Sequence, residues 1–310
     1  MTSEPRPLVE LTVDGTPVWV PEGASLLEAC RAAGVGPPTL CYLDGLTPAN
    51  ACRACVVELD GSRPLVASCS RQAEDGMVVT ATSERVEHSR RLVLELLASA
   101  VDLSTAEPQL RRWLEEYGVA PERYGPPAPA VDGTAERPRP GHHAQPDGEH
   151  AATQAQPAKL DNDLYVRDFS KCILCYRCVE ACGVDAQHTF AIAVAGRGFD
   201  ATIATEYDAP LPDSACVFCG NCIAVCPTGA LMFKSEHELR AAGEWDEERQ
   251  TITTTVCPYC GVGCNLELHV QDNEIVKVTS PSDHSVTGGH LCIKGRFGFQ
   301  HVQALEDGEE

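Results

Sequence analysis

The spacing of eight cysteines between residues 172 and 226 constrains the fold of this chain more than any other feature. The pattern C-x2-C-x2-C-x3-C occurs twice in this stretch. A 4Fe-4S cube needs four thiolates, and at this spacing the fourth cysteine of each run usually ligates the other cube. The spacing therefore predicts two 4Fe-4S clusters. One is held by Cys172, Cys175, Cys178 and Cys226, and the other by Cys216, Cys219, Cys222 and Cys182.

Zinc is the main alternative to iron at these cysteines, because C-x2-C pairs are also the commonest zinc spacing. A zinc site takes its ligands from two well-separated pairs, whereas each run here supplies three closely spaced thiolates and a distant one. Pro227 directly follows Cys226, as in bacterial ferredoxins, although Gly183 follows Cys182 in the first run. The spacing favours iron-sulfur clusters, and a zinc-stabilised scaffold stays open as an alternative of another class.

The composition bears on partners and on cellular location. The chain has 310 residues, enough for two or three domains, and 43% of them are hydrophobic. Asp and Glu total 45 against 24 Lys and Arg, and the formal net charge of -21 disfavours nucleic acid and anionic membranes as partners. The polar start and the 17 cysteines predict a cytoplasmic protein without disulfides. Since no stretch approaches the roughly 20 apolar residues of a membrane span, we expect no direct membrane insertion.

The first 82 residues predict a small mixed sheet with one helix. Residues 8–21 alternate in strand fashion around Asp14-Gly15, a dipeptide that suits a two-residue hairpin turn. Ser25 and Glu28 form a predicted capping box at the start of a short helix. Short apolar segments at 55–59, 65–67 and 77–80 complete the sheet, in an order that suits a β-grasp ferredoxin.

Four cysteines of this first region predict a 2Fe-2S cluster. Their spacing, C-x10-C-x2-C-x13-C, differs from the plant-type arrangement but keeps its C-x2-C core, and four thiolates suffice for one such cluster. Cys30 is left over, and on a helix face beside Leu26 and Leu27 it is predicted to be a buried apolar thiol. The predicted ligands are Cys41, Cys52, Cys55 and Cys69.

A helix and a linker are predicted between the first region and the paired cysteine runs. Residues 118–160 are rich in Pro, Ala and Gly and cannot bury a core, which predicts a linker. The pair His142-His143 in it, and His88 before it, are predicted to be solvated side chains. Residues 83–101 form a predicted amphipathic helix, with Val86, Val93, Leu94, Leu97 and Val101 on one side and Arg85, Arg90, Arg91 and Glu95 on the other.

A third cysteine group has the spacing C-x2-C-x3-C-x27-C. Alternating segments at 265–270 and 274–279 flank Asp272-Asn273 as a predicted hairpin. The hairpin places the first three thiolates in the loop before it and the fourth in the loop after it. Four thiolates predict a third 4Fe-4S cluster, with a structural zinc site as the alternative. The group consists of Cys257, Cys260, Cys264 and Cys292.

Two of these regions resemble one group of enzymes. The stretch Lys171–Cys178 resembles the double-cubane domain of NAD-linked formate dehydrogenases, hydrogenases and respiratory NADH dehydrogenases, although most relatives would have Gly in place of Tyr176. The stretches Leu40–Leu43 and Ala51–Glu58 look like the N-terminal domain of the same group. In many relatives a His and three Cys after the helix hold a further 4Fe-4S cluster. That cluster is not expected here, because residues 70–171 contain no cysteine.

The third cysteine group resembles the small N-terminal 4Fe-4S domain of molybdopterin oxidoreductases such as formate dehydrogenase. Cys257–Cys264 and Gly288–Arg296 match its opening and closing motifs. The resemblance implies that Lys294 lies between the cluster and the pterin, with a generic surface lysine as the alternative. In the relatives, pterin-binding domains follow and carry the ligand of the catalytic metal, whereas this sequence ends at Glu310 after an acidic stretch. We therefore expect no catalytic metal site in it.

Together these features predict an α+β protein. A β-grasp 2Fe-2S ferredoxin domain is followed by a Pro/Ala-rich linker, a bacterial double-cubane ferredoxin domain and a small β-rich 4Fe-4S domain of the molybdopterin-oxidoreductase type. The predicted boundaries are 1–82 for the β-grasp domain, 83–117 for a helical extension, 118–160 for the linker, 161–244 for the double 4Fe-4S domain, 245–300 for the third 4Fe-4S domain and 301–310 for an acidic tail.

The predicted function is electron transfer by a non-catalytic subunit. The sixteen ligands suffice for one 2Fe-2S and three 4Fe-4S clusters, and no G-x-G-x-x-G or P-loop motif accompanies them. The resemblance implies that the chain connects an FMN/NAD(H)-binding diaphorase subunit with a separate molybdopterin (Mo/W) formate dehydrogenase subunit. The runner-up is an electron-transfer subunit of an NAD-linked nickel-iron hydrogenase or an NADH dehydrogenase-like complex.

Overall fold

The structure, a computed structural model, describes residues 6–124, 158–198, 201–283 and 286–306. These residues belong to two compact units, which we call the N-terminal unit (6–124) and the C-terminal unit (158–306). Most of the predicted linker, with the pair His142-His143, lies outside the described residues. Within the described ranges, no helix combines the length and the apolar character needed to cross a membrane.

The N-terminal unit contains a five-stranded mixed sheet. The predicted hairpin is confirmed, and its turn residues Asp14 and Gly15 both have positive φ angles, 47° and 79°. The first strand runs parallel to the fifth, and the other neighbours pair antiparallel. The strands are β1 (Leu8–Val13), β2 (Thr16–Pro21), β3 (Val56–Leu59), β4 (Val66–Ala67) and β5 (Val78–Thr80), in the order β2-β1-β5-β3-β4.

Helix α1 (Leu26–Ala32) packs its apolar side into the core of this sheet. The predicted capping box is confirmed, since the Ser25 Oγ accepts from the Glu28 N–H at 3.2 Å and the Glu28 carboxylate accepts from the Ser25 N–H at 2.7 Å. Cys30 is fully buried in the same core, and burial raises the pKa of its thiol to about 11. The prediction of a buried apolar thiol at this position is therefore confirmed.

The predicted amphipathic helix is confirmed as α2 (Glu84–Ala100), but two residues of its predicted polar side are buried. Arg90 and Glu95, assigned to its polar side, are 2% and 3% exposed, so that assignment is wrong for both. Arg90 donates to the Val56 carbonyl oxygen at 2.8 Å, and Glu95 pairs with Arg123 at 3.4 Å. These partners offset the cost of burying the charges. Helix α3 (Pro108–Glu116) and a 3-10 turn (Pro121–Tyr124) follow, so the predicted linker begins with an ordered turn.

The C-terminal unit begins with a short antiparallel pair of strands that brackets both cysteine runs. Strand β6 (Tyr165–Arg167) precedes the first run and pairs with β9 (Leu231–Phe233), which follows the second. All six residues of this pair are buried, so both runs are anchored to one buried strand pair. Between them lie helix α4 (Arg177–Cys182), strands β7 (Ala193–Ala195) and β8 (Thr202–Ala204), and helix α5 (Asn221–Ala224); helix α6 (Lys234–Ala242) follows β9.

The rest of the C-terminal unit is a three-stranded antiparallel sheet with two short helices. The predicted hairpin around Asp272-Asn273 is confirmed as β11 (Asn265–Gln271) and β12 (Glu274–Thr279). Strand β10 (Thr251–Val256), which was not predicted from the sequence, pairs with β11 as an exposed edge strand. Helices α7 (Ile293–Phe297) and α8 (Phe299–Glu306) close the unit, and α8 extends into the predicted acidic tail.

Candidate iron-sulfur sites

The four cysteines of the N-terminal unit converge in one place. Cys41 and Cys52 lie in the long loop between α1 and β3, Cys55 directly precedes β3, and Cys69 follows β4. The Cys52 N–H donates to the Cys41 Sγ at 3.5 Å. Side-chain hydrogen bonds join Cys41 to Cys52 and to Cys69, and the bond from Cys52 is the largest cause of a lowered pKa at Cys41. Four thiols that converge in this way suit a 2Fe-2S cluster, which takes four thiolate ligands.

The two cysteine runs of the C-terminal unit adopt the same loop conformation. Leu174 and Phe218 directly precede the second cysteine of each run and have φ angles of 51° and 53°. Tyr176 and Gly220, which directly follow the second cysteines, have φ angles of 65° and 70°. In both loops a backbone N–H donates to the sulfur of the first cysteine. The Leu174 N–H donates to the Cys172 Sγ and the Phe218 N–H to the Cys216 Sγ, each at 3.4 Å. The sequence repeat is thus also a structural repeat.

Each run curls around a separate apolar cavity, and the fourth cysteines cross between them. The structure brings together the same two sets of four thiols that the spacing predicted. Cys172, Cys175, Cys178 and Cys226 line the first cavity, and Cys182, Cys216, Cys219 and Cys222 line the second.

The second cavity is lined by hydrogen-bond donors that would stabilise a negatively charged group bound in it. The Tyr165 hydroxyl lies 3.2 Å from the Cys216 Sγ, and burial raises the pKa of that phenol. Arg167 lines the same cavity and is 2% exposed, with Nη2 on Asp161. Its Nε and Nη1 are buried and have no hydrogen-bond partner among the described residues. Buried donors of this kind are normally satisfied, and an iron-sulfur cluster with thiolate ligands would satisfy them.

The third cysteine group surrounds one end of the β10-β11-β12 sheet. Cys257, Cys260 and Cys264 lie in the loop between β10 and β11, where the Cys257 N–H donates to the Cys264 carbonyl at 2.7 Å. Cys292 is the residue before α7. The predicted placement of these thiols before and after the hairpin is therefore confirmed. Burial, followed by the charges of the other three thiols, raises the pKa of Cys264.

One side of this third group faces solvent. Cys260 and Cys292 are exposed, whereas Cys257 is 6% exposed and packs against Leu291. Lys294, the predicted pterin contact, is also exposed. Among the residues that the structure describes, no group of three or more His, Cys, Asp and Glu side chains has the arrangement of a site for a single metal ion.

Arg296 joins the third group to the second cavity, a role that its place in the closing motif did not reveal. It is completely buried. Its Nε donates to the Cys219 carbonyl oxygen at 3.0 Å and its Nη2 to the Asn221 Oδ1 at 3.1 Å. Asn221 also accepts from the Leu291 N–H at 3.0 Å, next to Cys292. Ligand loops of two predicted clusters are therefore in direct contact through these two side chains.

Three family models match parts of the chain that agree with these sites. The 2Fe-2S iron-sulfur cluster binding domain matches residues 6–84. The ferredoxin-like domain of NADH-quinone oxidoreductase subunit 3 matches residues 163–232. The molybdopterin oxidoreductase Fe4S4 domain matches residues 250–304. Fold, sites and models together define a mixed α/β iron-sulfur protein with one 2Fe-2S domain and 4Fe-4S domains.

Curated relatives extend over nearly the whole chain. The NADPH-Fe(3+) oxidoreductase subunit alpha of Geobacter sulfurreducens is 33% identical over 96% of this chain and 32% of its own length. An NADH-quinone oxidoreductase subunit of Rhizobium meliloti is 30% identical over 96% of this chain and 32% of its own length. The NADP-reducing hydrogenase subunit HndD of Solidesulfovibrio fructosivorans is 34% identical over 95% and 46%. The chain thus spans a third to a half of the length of these relatives.

A solved structure is similar to most of the chain. A chain of an NAD+-reducing NiFe-hydrogenase in its H2-reduced state superposes with a TM-score of 0.58 at 26% identity, over 73% of this chain and 87% of that chain. A putative formate dehydrogenase of Staphylococcus haemolyticus is 25% identical over 95% of this chain and 31% of its own length. The chain is therefore homologous to subunits of NADH-quinone oxidoreductases, formate dehydrogenase-like proteins and NAD-reducing hydrogenases, which confirms the resemblance inferred from its motifs.

Proposed function

We propose that this chain is an electron-transfer subunit that connects an FMN/NAD(H)-binding diaphorase subunit with a molybdopterin formate dehydrogenase. The observation that carries the proposal is the contact between ligand loops of the second cavity and the third cysteine group, made by Arg296 and Asn221. Clusters held at both places would be close neighbours inside one protein unit. Such neighbours supply a one-electron path, which is the chemistry that iron-sulfur clusters provide.

The ligand sets proposed for this function are the four groups of four cysteines predicted from the sequence. They would hold one 2Fe-2S cluster in the β-grasp domain, two cubes in the double-cubane domain and a third 4Fe-4S cluster in the last domain. The thiol-lined apolar cavities support the two cubes, and the Arg167 donors without a described partner support the cube of the second cavity. The domain limits 1–82, 83–117, 118–160, 161–244, 245–300 and 301–310 are part of this proposal.

The residues of the third group define the proposed catalytic end of the path. Cys260, Cys292 and Lys294 are exposed, so a partner surface has access to the cluster from this side. The match of residues 250–304 to a molybdopterin oxidoreductase Fe4S4 domain favours a pterin-binding partner and supports Lys294 as a contact to it. The pterin-binding part itself lies outside these 310 residues in this proposal.

An NAD-linked hydrogenase is the second candidate for the catalytic end. The superposition on the NAD+-reducing NiFe-hydrogenase chain, which covers 87% of that chain, favours it specifically. The identity of 34% to an NADP-reducing hydrogenase subunit points the same way. The two candidates differ in what contacts the third cluster, so the test is directed there.

The test removes one exposed ligand of the third group in the assembled complex. Cys260→Ala should leave the reduction of a dye by NADH nearly unchanged and abolish electron transfer from formate to NAD, because only the cluster at the catalytic end is lost. Cys30→Ala is the matched control, since this thiol is buried in the core of the N-terminal unit and does not belong to the third cysteine group, so both activities should survive. Persistent formate-linked activity in Cys260→Ala contradicts the proposed place of the third cluster at the catalytic end. A wild-type complex without formate-linked activity contradicts the formate assignment. Copurification of nickel-iron subunits instead of a molybdenum or tungsten subunit favours the hydrogenase.

A further inference from the structure

Arg296 is a buried cation whose neighbours are ligands of two proposed clusters. It is 0% exposed, and among the described residues it pairs with no carboxylate. Its acceptors are neutral, namely the Cys219 and Val278 carbonyl oxygens and the Asn221 Oδ1. A buried charge with only neutral acceptors is strongly unfavourable, so a compensating negative charge is required nearby. The thiols whose charge acts on Arg296 are those of Cys219, Cys222 and Cys292.

The position of Arg296 is fixed by packing as well as by hydrogen bonds. A Cβ atom built on Gly220 would lie 2.3 Å from the Arg296 Cδ, so the ligand loop and the arginine stem are in direct contact only because residue 220 is Gly. The same Cβ would lie 3.0 Å from the ring of Phe297, which stacks on Tyr165. The guanidinium therefore has one location, against the loop that carries Cys219 and Cys222.

We propose that Arg296 is a positioning residue whose fixed positive charge raises the reduction potential of the cube held by Cys182, Cys216, Cys219 and Cys222. This inference rests on the proposed clusters but goes beyond them, since it assigns a determinant of the potential of one particular cube.

The sign follows from electrostatics. A cube with four thiolate ligands is anionic, and one-electron reduction adds a further negative charge to it. A nearby cation stabilises the reduced form more than the oxidised form, so it raises the potential. Because an arginine side chain keeps its proton in proteins, this charge does not vary with pH in the physiological range. At an effective dielectric constant of about 20, a unit charge a few ångströms away changes such an equilibrium by more than tenfold.

Two variants of the full chain, loaded with clusters under anaerobic conditions, test this charge. Arg296→Gln removes the cation. Asn221→Asp leaves the arginine in place and keeps both acceptor roles of residue 221, but it adds a neutralising carboxylate 3.1 Å from the guanidinium. Both variants should lower the reduction equilibrium constant of this cube at least about tenfold, a shift of 59 mV for a one-electron couple. The measurement is a redox titration followed by EPR, in which the signal of this cube is the one absent from Cys182→Ala.

Two further variants separate charge from structure. Arg296→Lys keeps the charge and should retain most of the wild-type potential. Arg249→Gln makes the same chemical change at a half-exposed arginine that pairs with Asp272, and it should leave every potential unchanged. The cube of the first cavity serves as an internal reference in each titration. An unshifted signal in both Arg296→Gln and Asn221→Asp, with the iron content intact, overturns this inference alone. A loaded wild-type chain without 4Fe-4S signals overturns the proposed function as well.

Discussion

Gly220→Ala should destabilise the C-terminal unit by more than its backbone conformation alone accounts for. The φ angle of Gly220 is 70°, and a residue with a Cβ atom pays about 1–2 kcal/mol in that conformation. The new methyl would also lie 2.3 Å from the Arg296 Cδ, so the arginine must move, and overpacking of this kind costs about 1–3 kcal/mol. We therefore expect a total loss of about 2–5 kcal/mol of unfolding free energy.

Gly243→Ala is the matched control for the backbone part of this cost. Gly243 ends helix α6 with a φ angle of 74°, and a Cβ there would meet nothing within 4 Å. The assay is the urea midpoint at which the cluster-loaded chain loses its visible absorbance. At a urea dependence of about 2 kcal/mol per M, Gly220→Ala should have a midpoint about 0.5–1.5 M below that of Gly243→Ala. Equal midpoints for the two variants would refute the close approach of Arg296 to the ligand loop.

Three further perturbations test other parts of the account. Cys182→Ala should remove about 4 iron atoms and the EPR signal of the second cube, while the first cube survives. Loss of the first cube instead would contradict the assignment of Cys182 to the cube of the other run. Tyr165→Phe should lower the potential of the second cube, because the hydroxyl that lies 3.2 Å from the Cys216 Sγ is lost, and an unchanged potential in the EPR titration would count against that hydrogen bond. Burial lowers the pKa of His269 from 6.5 to about 4, so the unfolded chain binds the proton more tightly and the unfolding free energy rises with pH between those values. His269→Gln should flatten that rise in urea titrations at several pH values, and an unaltered slope would argue against a half-buried neutral imidazole.

The cysteine groups and the hairpins could be predicted from sequence because they depend on local geometry. The dipeptides Asp14-Gly15 and Asp272-Asn273 adopt the positive φ angles that their hairpin turns require. The two C-x2-C-x2-C runs fold into one loop conformation because a thiol accepts from a backbone N–H two residues later, at 3.4 Å in each run. Neither feature requires knowledge of distant residues.

Other features could not be predicted because distant contacts decide them. Arg90 is buried because the Val56 carbonyl, 34 positions earlier, accepts from its guanidinium, and helical periodicity contains no sign of that acceptor. Arg296 is buried against a loop about 75 residues earlier, so the closing motif alone does not reveal its role. Strand β10 (Thr251–Val256) is exposed along its whole length, and its signal was the Thr content rather than an alternation of apolar residues.

The metal content of the purified chain tests most directly whether the sixteen cysteines hold four iron-sulfur clusters. After anaerobic reconstitution, iron and acid-labile sulfide should be determined together with zinc on the same sample. We expect about 14 iron atoms per chain, with brown colour and EPR signals of both cluster types after reduction. Stoichiometric zinc in a colourless protein with little iron would contradict it.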